Sequence, residues 1–241
     1  MVLNGIKAVF FDLDNTLIDT AGAGKKAIEE VMKLLIDNKQ CKEEDACIIC
    51  DKFQAKLVCE TLDPSEMSID ELRVQHWEEA MQEVRQGEHK EVAQQCYILW
   101  KTRRLQLMTL SDSTKEMLRD LKTSVRLVLL TNGVSQVQRE KIESCGAHPF
   151  FDAVVVGGDH AEEKPASSIF QHCLDLVGLM PGDCVMVGDN LETDILGGLN
   201  AGLKATIWVN KNPSTINKAS PTPHYIIKSV LEVPNILKSF C

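Results

Sequence analysis

The short apolar run Ala8-Val9-Phe10-Phe11 runs directly into Asp12 and Asp14, and this junction constrains the fold more than any other stretch. Such a run reads as a strand buried on both faces, as in a parallel sheet covered by helices. A buried strand does not tolerate unpaired charge. Strand alternation puts Asp12 and Asp14 on one side and Leu13 on the other. At about 4 Å and an effective dielectric near 20, two such carboxylates repel by roughly 4 kcal/mol unless a cation or a proton intervenes. The pair therefore suggests a metal-assisted site with one nucleophilic carboxylate and one proton carrier. The plainer reading is an Asp-Asn turn at a strand end.

Downstream, the periodicity changes. From about Gly22 to Leu105 apolar residues recur at three- and four-residue spacing. Ala27, Val31, Leu34 and Leu35 show it, as do Leu72, His76, Trp77 and Met81. Asp63-Pro64-Ser65 and Gln86-Gly87-Glu88 punctuate the region as turns. The spacing predicts about four helices forming a separate bundle over residues 20–108. Cys47-Ile48-Ile49-Cys50 falls in this helical sequence, with no second ligand pair at zinc-finger spacing, so helix packing is the expectation. His76-Trp77 reads as interior of the same bundle.

After Leu110 short apolar strands alternate with helices. Ser111 or Asp112 can cap a helix through Leu121. Strands are expected at Val125–Leu130, Ala153–Val156, Cys184–Val187 and Lys204–Val209, and helices at Ser135–Ser144, Ala166–Val177 and Glu192–Asn200. A short strand at Tyr225–Ile227 and a helix from about Ser229 close the pattern, after a Pro-containing surface loop over Lys211–Pro223. This is an α/β three-layer design, a Rossmann-like parallel sheet with an all-helical insert. Residues 1–19 with 109–241 would make the sheet domain. The first strand, Leu3–Phe11, belongs to that sheet although the insert separates it from the others.

Parallel sheets bind ligands at the carboxyl ends of their strands. There the sequence sets Asp12 and Asp14, then Thr131-Asn132-Gly133, then Gly157-Gly158-Asp159 followed by Lys164-Pro165, then Gly188-Asp189-Asn190 with Asp194 one helical turn on. A Thr hydroxyl and main-chain N–H groups at a helix start suit phosphate oxygens, and Lys164 supplies a fixed positive charge. Asp189 would complete a hard-cation site with Asp12. The aspartates Asp12, Asp14, Asp189 and Asp194 carry −4 and Lys164 leaves −3, so a phosphate dianion needs a divalent ion to enter. Taken singly, each of these motifs is an ordinary turn or helix entry. Their order, each after a separate strand, is what points to chemistry.

Other classes fit less well. A net charge of −9 without any Lys/Arg block argues against nucleic acid as a partner. No run is long enough to span a bilayer, no secretory leader is read at the N-terminus, and nine scattered cysteines suggest a reduced, cytoplasmic setting. Gly22-Ala23-Gly24-Lys25-Lys26 fails as a P-loop, with Asp at position 19 and no Ser/Thr after Lys25. There is no Gly-x-Ser-x-Gly elbow.

Together the motifs Asp12-Leu13-Asp14-Asn15-Thr16-Leu17, Thr131-Asn132, Lys164-Pro165 and Gly188-Asp189 with Asp194 resemble the haloacid dehalogenase-like superfamily of phosphatases, from Lys7 to about Val209. The resemblance implies a sheet order 5-4-1-2-3, with the helical insert as a cap of the C1 type. It implies a phosphoric monoester hydrolase in which Asp12 is the nucleophile and Asp14 the general acid and base. Mg²⁺ would be held by Asp12, the Asp14 main-chain carbonyl and Asp189, and phosphate by Thr131, Asn132 and Lys164. Asp194 would orient the metal waters or Lys164. Val9–Ala23, His76–Ala80, Asp152–Gly158 and Pro181–Asp189 resemble most closely the members acting on a small phosphorylated sugar acid, Val134 being a departure outside the motif residues. Such a substrate carries a carboxylate, for which Arg104 and Arg73 are the cap candidates, and a monomer is expected. A metal-free dehalogenase and a non-catalytic phosphosugar-binding protein are the competing readings. Another small phosphorylated metabolite, of phosphosugar or phosphoglycolate type, is the alternative substrate.

Overall fold

The computed structural model describes residues 5–37, 41–63, 65–211 and 221–240. It divides into two compact units, Met1–Asp19 with Thr109–Cys241, and Thr20–Met108. Among the described residues no helix is long and apolar enough to cross a membrane.

The first unit holds β1 (Ala8–Phe11), β2 (Arg126–Thr131), β3 (Ala153–Val156), β4 (Cys184–Gly188), β5 (Ala205–Val209) and β6 (Tyr225–Ile227). They form one sheet in the order β3-β2-β1-β4-β5-β6, every pair parallel. The order implied by the family resemblance is observed, with β6 added beyond β5. Every residue of β1, β4 and β5 is buried, as a sheet covered on both faces requires. Ala8 and Phe10 join Val128, Leu130 and Met186 in a cluster with Ile169, Phe170 and Leu174 of a helix at Ser167–Val177. Val9 and Phe11, also fully buried, alternate to the other face. There Phe11 meets Phe151 edge-on at 6.4 Å.

The register places the site. Ala8 lies opposite both Arg126 and Cys184, and Phe11 opposite both Leu129 and Val187. Asp12, Thr131 and Gly188 therefore leave three neighbouring strands at nearly one level.

Boundaries differ from expectation in a few places. Leu3, and most of the loop over Lys211–Pro223, lie outside the described residues, as does Pro64. The segment expected as one helix over Glu192–Asn200 is a π-helical turn, Leu191–Ile195, followed by a short helix, Leu196–Asn200. The Asn190 side chain accepts from the Glu192 and Thr193 N–H groups, and the Asp194 carboxylate accepts from Asn190 N at 3.0 Å. These polar demands widen the first turn. The final helix begins at Val233, preceded by a 3₁₀ turn that Ser229 caps.

The second unit is helical: α1 (Thr20–Asp37), α2 (Glu43–Val58), α3 (Ile69–Gln82) and α4 (Lys90–Leu107). Its core contains Val31, Ile49, Phe53, Trp77, Cys96 and Trp100. Phe53 stacks on Trp77 with centroids 3.8 Å apart and meets Trp100 edge-on. Ser68 and Glu71 form a reciprocal capping box that starts α3. Cys47 is exposed and Cys50 buried on α2, both as thiols, and burial pushes Cys50 up to about 12. That suits packing and not redox chemistry. The chain re-enters the sheet unit through α5 (Asp112–Lys122), which Ser111 caps by accepting from Thr114 N.

Candidate active site

Asp12 follows β1 directly, and its N–H donates to Val187 O at 2.9 Å, tying the turn to β4. The chain then curls back, with Leu17 and Ile18 N–H groups both donating to Leu13 O. Such a turn needs a left-handed residue, and Asn15 supplies it at φ 58°, a conformation asparagine tolerates. The Thr16 hydroxyl donates to Asp12 Oδ2 at 3.0 Å, fixing one edge of the carboxylate.

Lys164 fixes the other edge. Its Nζ donates to Asp12 Oδ1 at 2.8 Å, Asp194 Oδ1 at 2.7 Å and Leu130 O at 2.8 Å. An ammonium has three protons, so all are committed. Lys164 thus neutralises a pair of buried carboxylates. Burial alone would lower its ammonium, but Asp12 and Asp194 outweigh that and hold it above the usual lysine value. Asn132 clamps the backbone beside it, Oδ1 accepting from Lys164 N at 3.0 Å and Nδ2 donating to Lys164 O at 2.8 Å.

Asp189 and Asp194 arrive from the end of β4. Gly188 is needed between them and the sheet, because a Cβ there would lie 2.2 Å from Asp194 Oδ2. Asp12, Asp189 and Asp194 each offer an oxygen within 4.8 Å of the others, a hard-oxygen set suited to a divalent cation. Both oxygens of Asp194, like both of Asp12, already accept hydrogen bonds, so hydrogen bonding does not rank one of these two above the other as a ligand. Burial pushes Asp12 up to about 7, with Lys164 pulling against it and Asp194 and Asp14 adding to it. Burial, reinforced by Asp194, likewise raises Asp189 to about 6. Carboxylates held in so proton-hungry a state fit a cation.

The strand ends at Phe11, so the turn, not strand alternation, sets Asp14. Its carboxylate faces α6 (Ser135–Ser144). Lys141 Nζ donates to both of its oxygens, at 2.9 and 2.8 Å. Gln138 Nε2 donates to Asp14 Oδ2 at 2.9 Å and to Thr131 Oγ1 at 2.7 Å. Neither α6 residue stands out in the sequence. With Lys141 counted, four carboxylates face two ammoniums, leaving −2 where the sequence reading left −3. A divalent ion then cancels this remaining charge.

The two arginine candidates lie in the helical unit. Arg73 is engaged with Glu60 through Nε at 3.1 Å and Nη2 at 2.9 Å, and both side chains are largely buried. Its guanidinium is thus spent on a structural pair. Arg104 lies over the Trp100 ring at 4.1 Å. Trp77 is core, as expected, whereas both ring nitrogens of half-buried His76 lack a hydrogen-bond partner.

Comparison with known proteins gives a consistent picture. Residues 6–202 match the family model for haloacid dehalogenase-like hydrolases. The chain is 58% identical to human N-acylneuraminate-9-phosphatase over 99% of its own length and 96% of the human protein's. It is 57% identical to the rat enzyme of that name over the same shares. Among solved structures, a putative hydrolase of the family from Bacillus subtilis superposes with a TM-score of 0.70 at 22% identity, covering 97% of this chain and 99% of that one.

Proposed function

The chain belongs to the haloacid dehalogenase-like hydrolase family, and from that premise we propose that it hydrolyses N-acylneuraminate 9-phosphate, a sialic acid 9-phosphate, to the free acid and phosphate. The chemistry rests on the convergence of Asp12, Lys164 and Asp189 at adjacent strand ends. The substrate rests on identity spanning nearly the whole of both chains.

Asp12 attacks phosphorus in line, forming an aspartyl-phosphate as the bond to the sugar oxygen breaks. Asp14 gives that oxygen a proton and later takes one from the water that attacks the aspartyl-phosphate, freeing phosphate and the Asp12 carboxylate. Mg²⁺, held by Asp12, Asp189 and the Asp14 main-chain carbonyl, would neutralise charge on the transferring group. Thr131 donates its hydroxyl proton to a phosphate oxygen, and Asn132 contributes its main-chain N–H while its side chain secures Lys164. Lys164 and Asp194 keep Asp12 oriented. The helical unit is the candidate cap, with Arg104 as its candidate for recognising the acid.

A dehalogenase needs neither a cation nor the acidic set around Asp189, so it is the weaker reading. The test is a phosphate-release assay across a panel of phosphosugars and phosphoglycolate, with and without Mg²⁺. Highest kcat/KM on the sialic acid 9-phosphate, and loss of turnover in Asp12→Asn and in EDTA, are expected. Activity that survives both treatments would sink the mechanism, and a better substrate elsewhere in the panel would replace the substrate.

A further inference from the structure

Gln138 is 2% exposed, and the mechanism leaves it without a role. Its Nε2 faces three acceptors, Asp14 Oδ2 at 2.9 Å, Thr131 Oγ1 at 2.7 Å and Asn132 O at 2.5 Å. Its Oε1 is buried without a hydrogen-bond partner, an arrangement that packing alone does not select. One amide thus touches the proton carrier and both residues of the phosphate loop. Because a Thr131 lone pair receives the Gln138 N–H, the Thr131 hydroxyl proton must point elsewhere. One turn further along α6, Lys141 grips both Asp14 oxygens and is itself only 7% exposed.

We infer that Gln138 and Lys141 are positioning residues: Gln138 sets the Thr131 hydroxyl and the Asp14 carboxylate relative to each other, and Lys141 completes the hold on Asp14. This rests on the phosphatase reading above. A phosphoester whose alcohol leaves as an alkoxide needs the proton that Asp14 delivers. p-Nitrophenolate leaves without one. The quantity kcat/KM covers only the steps up to departure of the alcohol, so the later hydrolysis of the aspartyl-phosphate does not enter it.

The experiment compares wild type, Gln138→Met, Lys141→Met and Lys141→Arg in Mg²⁺ on the sugar acid phosphate and on p-nitrophenyl phosphate. General acid catalysis contributes about 10²–10⁴-fold, so Lys141→Met should lose about tenfold or more in kcat/KM on the sugar ester and less than about threefold on the aryl ester; Gln138→Met, which also releases the Thr131 hydroxyl, should lose on both esters but about tenfold more on the sugar ester, and Lys141→Arg should stay within about threefold of wild type on both. Equal losses on the two esters, or none, overturn the inference, since a structural role does not sense the leaving group. Should Gln138→Met not fold, the two Lys141 variants decide the question by the same comparison. A wild-type protein inert toward both esters would instead overturn the phosphatase reading.

Discussion

Lys164→Met removes the one cation shared by Asp12 and Asp194, whose side chains are 9% and 1% exposed. At 2.8 and 2.7 Å each contact has a gross attraction of about 6 kcal/mol at an effective dielectric near 20. Part of that offsets the cost of desolvating the ammonium. What remains after losing one partner of a buried pair is about 3–5 kcal/mol of destabilisation. For a chain of this size that corresponds to a fall in Tm of roughly 6–20 °C. The assay is urea and thermal unfolding in EDTA, followed through Trp208 of β5, since two units need not unfold together. Lys115→Met is the control: its pair with Asp112 lies on the surface and should leave Tm unchanged. Adding Asp194→Asn to Lys164→Met should recover part of the loss by removing one orphaned charge. A Lys164→Met protein within about 1 kcal/mol of wild type in EDTA would refute the claim that this lysine compensates the buried pair.

Further outcomes follow from the same site and from the helical core. Folded Asp12 and Asp189 hold protons up to about 7 and about 6, against an ordinary aspartate value of 3.8. Between those limits the folded state binds more protons than the unfolded chain. Their contribution therefore falls as pH rises from about 4 to about 7, and thermal scans at pH 5 and 7.5 should show the decline in EDTA and less of it in Mg²⁺. Gly188→Ala forces a Cβ against Asp194 and should cost about 1–3 kcal/mol, read as a lower Tm together with reduced turnover. Phe53→Ala empties the stack on Trp77 and should cost the helical unit about 3–5 kcal/mol, visible in the Trp77 and Trp100 fluorescence transition under urea.

The sheet was legible because each strand is a short apolar run bounded by polar turns, a pattern that a double-covered strand imposes. The ends of β1, β2 and β4 could likewise be ranked by their residue types, which is how Asp12, Thr131 and Asp189 were singled out. The geometry of Lys164 was not legible: spacing cannot reveal that a lysine at the rim has turned inward to Leu130 O and two carboxylates. Gln138 and Lys141 were missed because they look like an ordinary solvated helix face. One signal was available. Ser135–Ser144 has only Val137 and Ile142 as apolar residues, too few for a helix packed on a sheet, so some of its polar side chains had to be buried with partners. The unwound start of Glu192–Asn200 escaped for a related reason, since its shape answers to hydrogen bonds from Asn190 and Asp194 and not to periodicity.

The pairing of Ala8 with Cys184 sets an order of events during translation. At about 5–20 residues per second the ribosome delivers that partner roughly 9–35 s after Ala8 itself. The stretch Thr20–Met108 is contiguous and emerges complete long before then. Until Arg126, the other strand partner of Ala8, appears, the nascent chain therefore carries a helical bundle and an unpaired hydrophobic segment, and the β4 end of the site arrives only in the last third of synthesis.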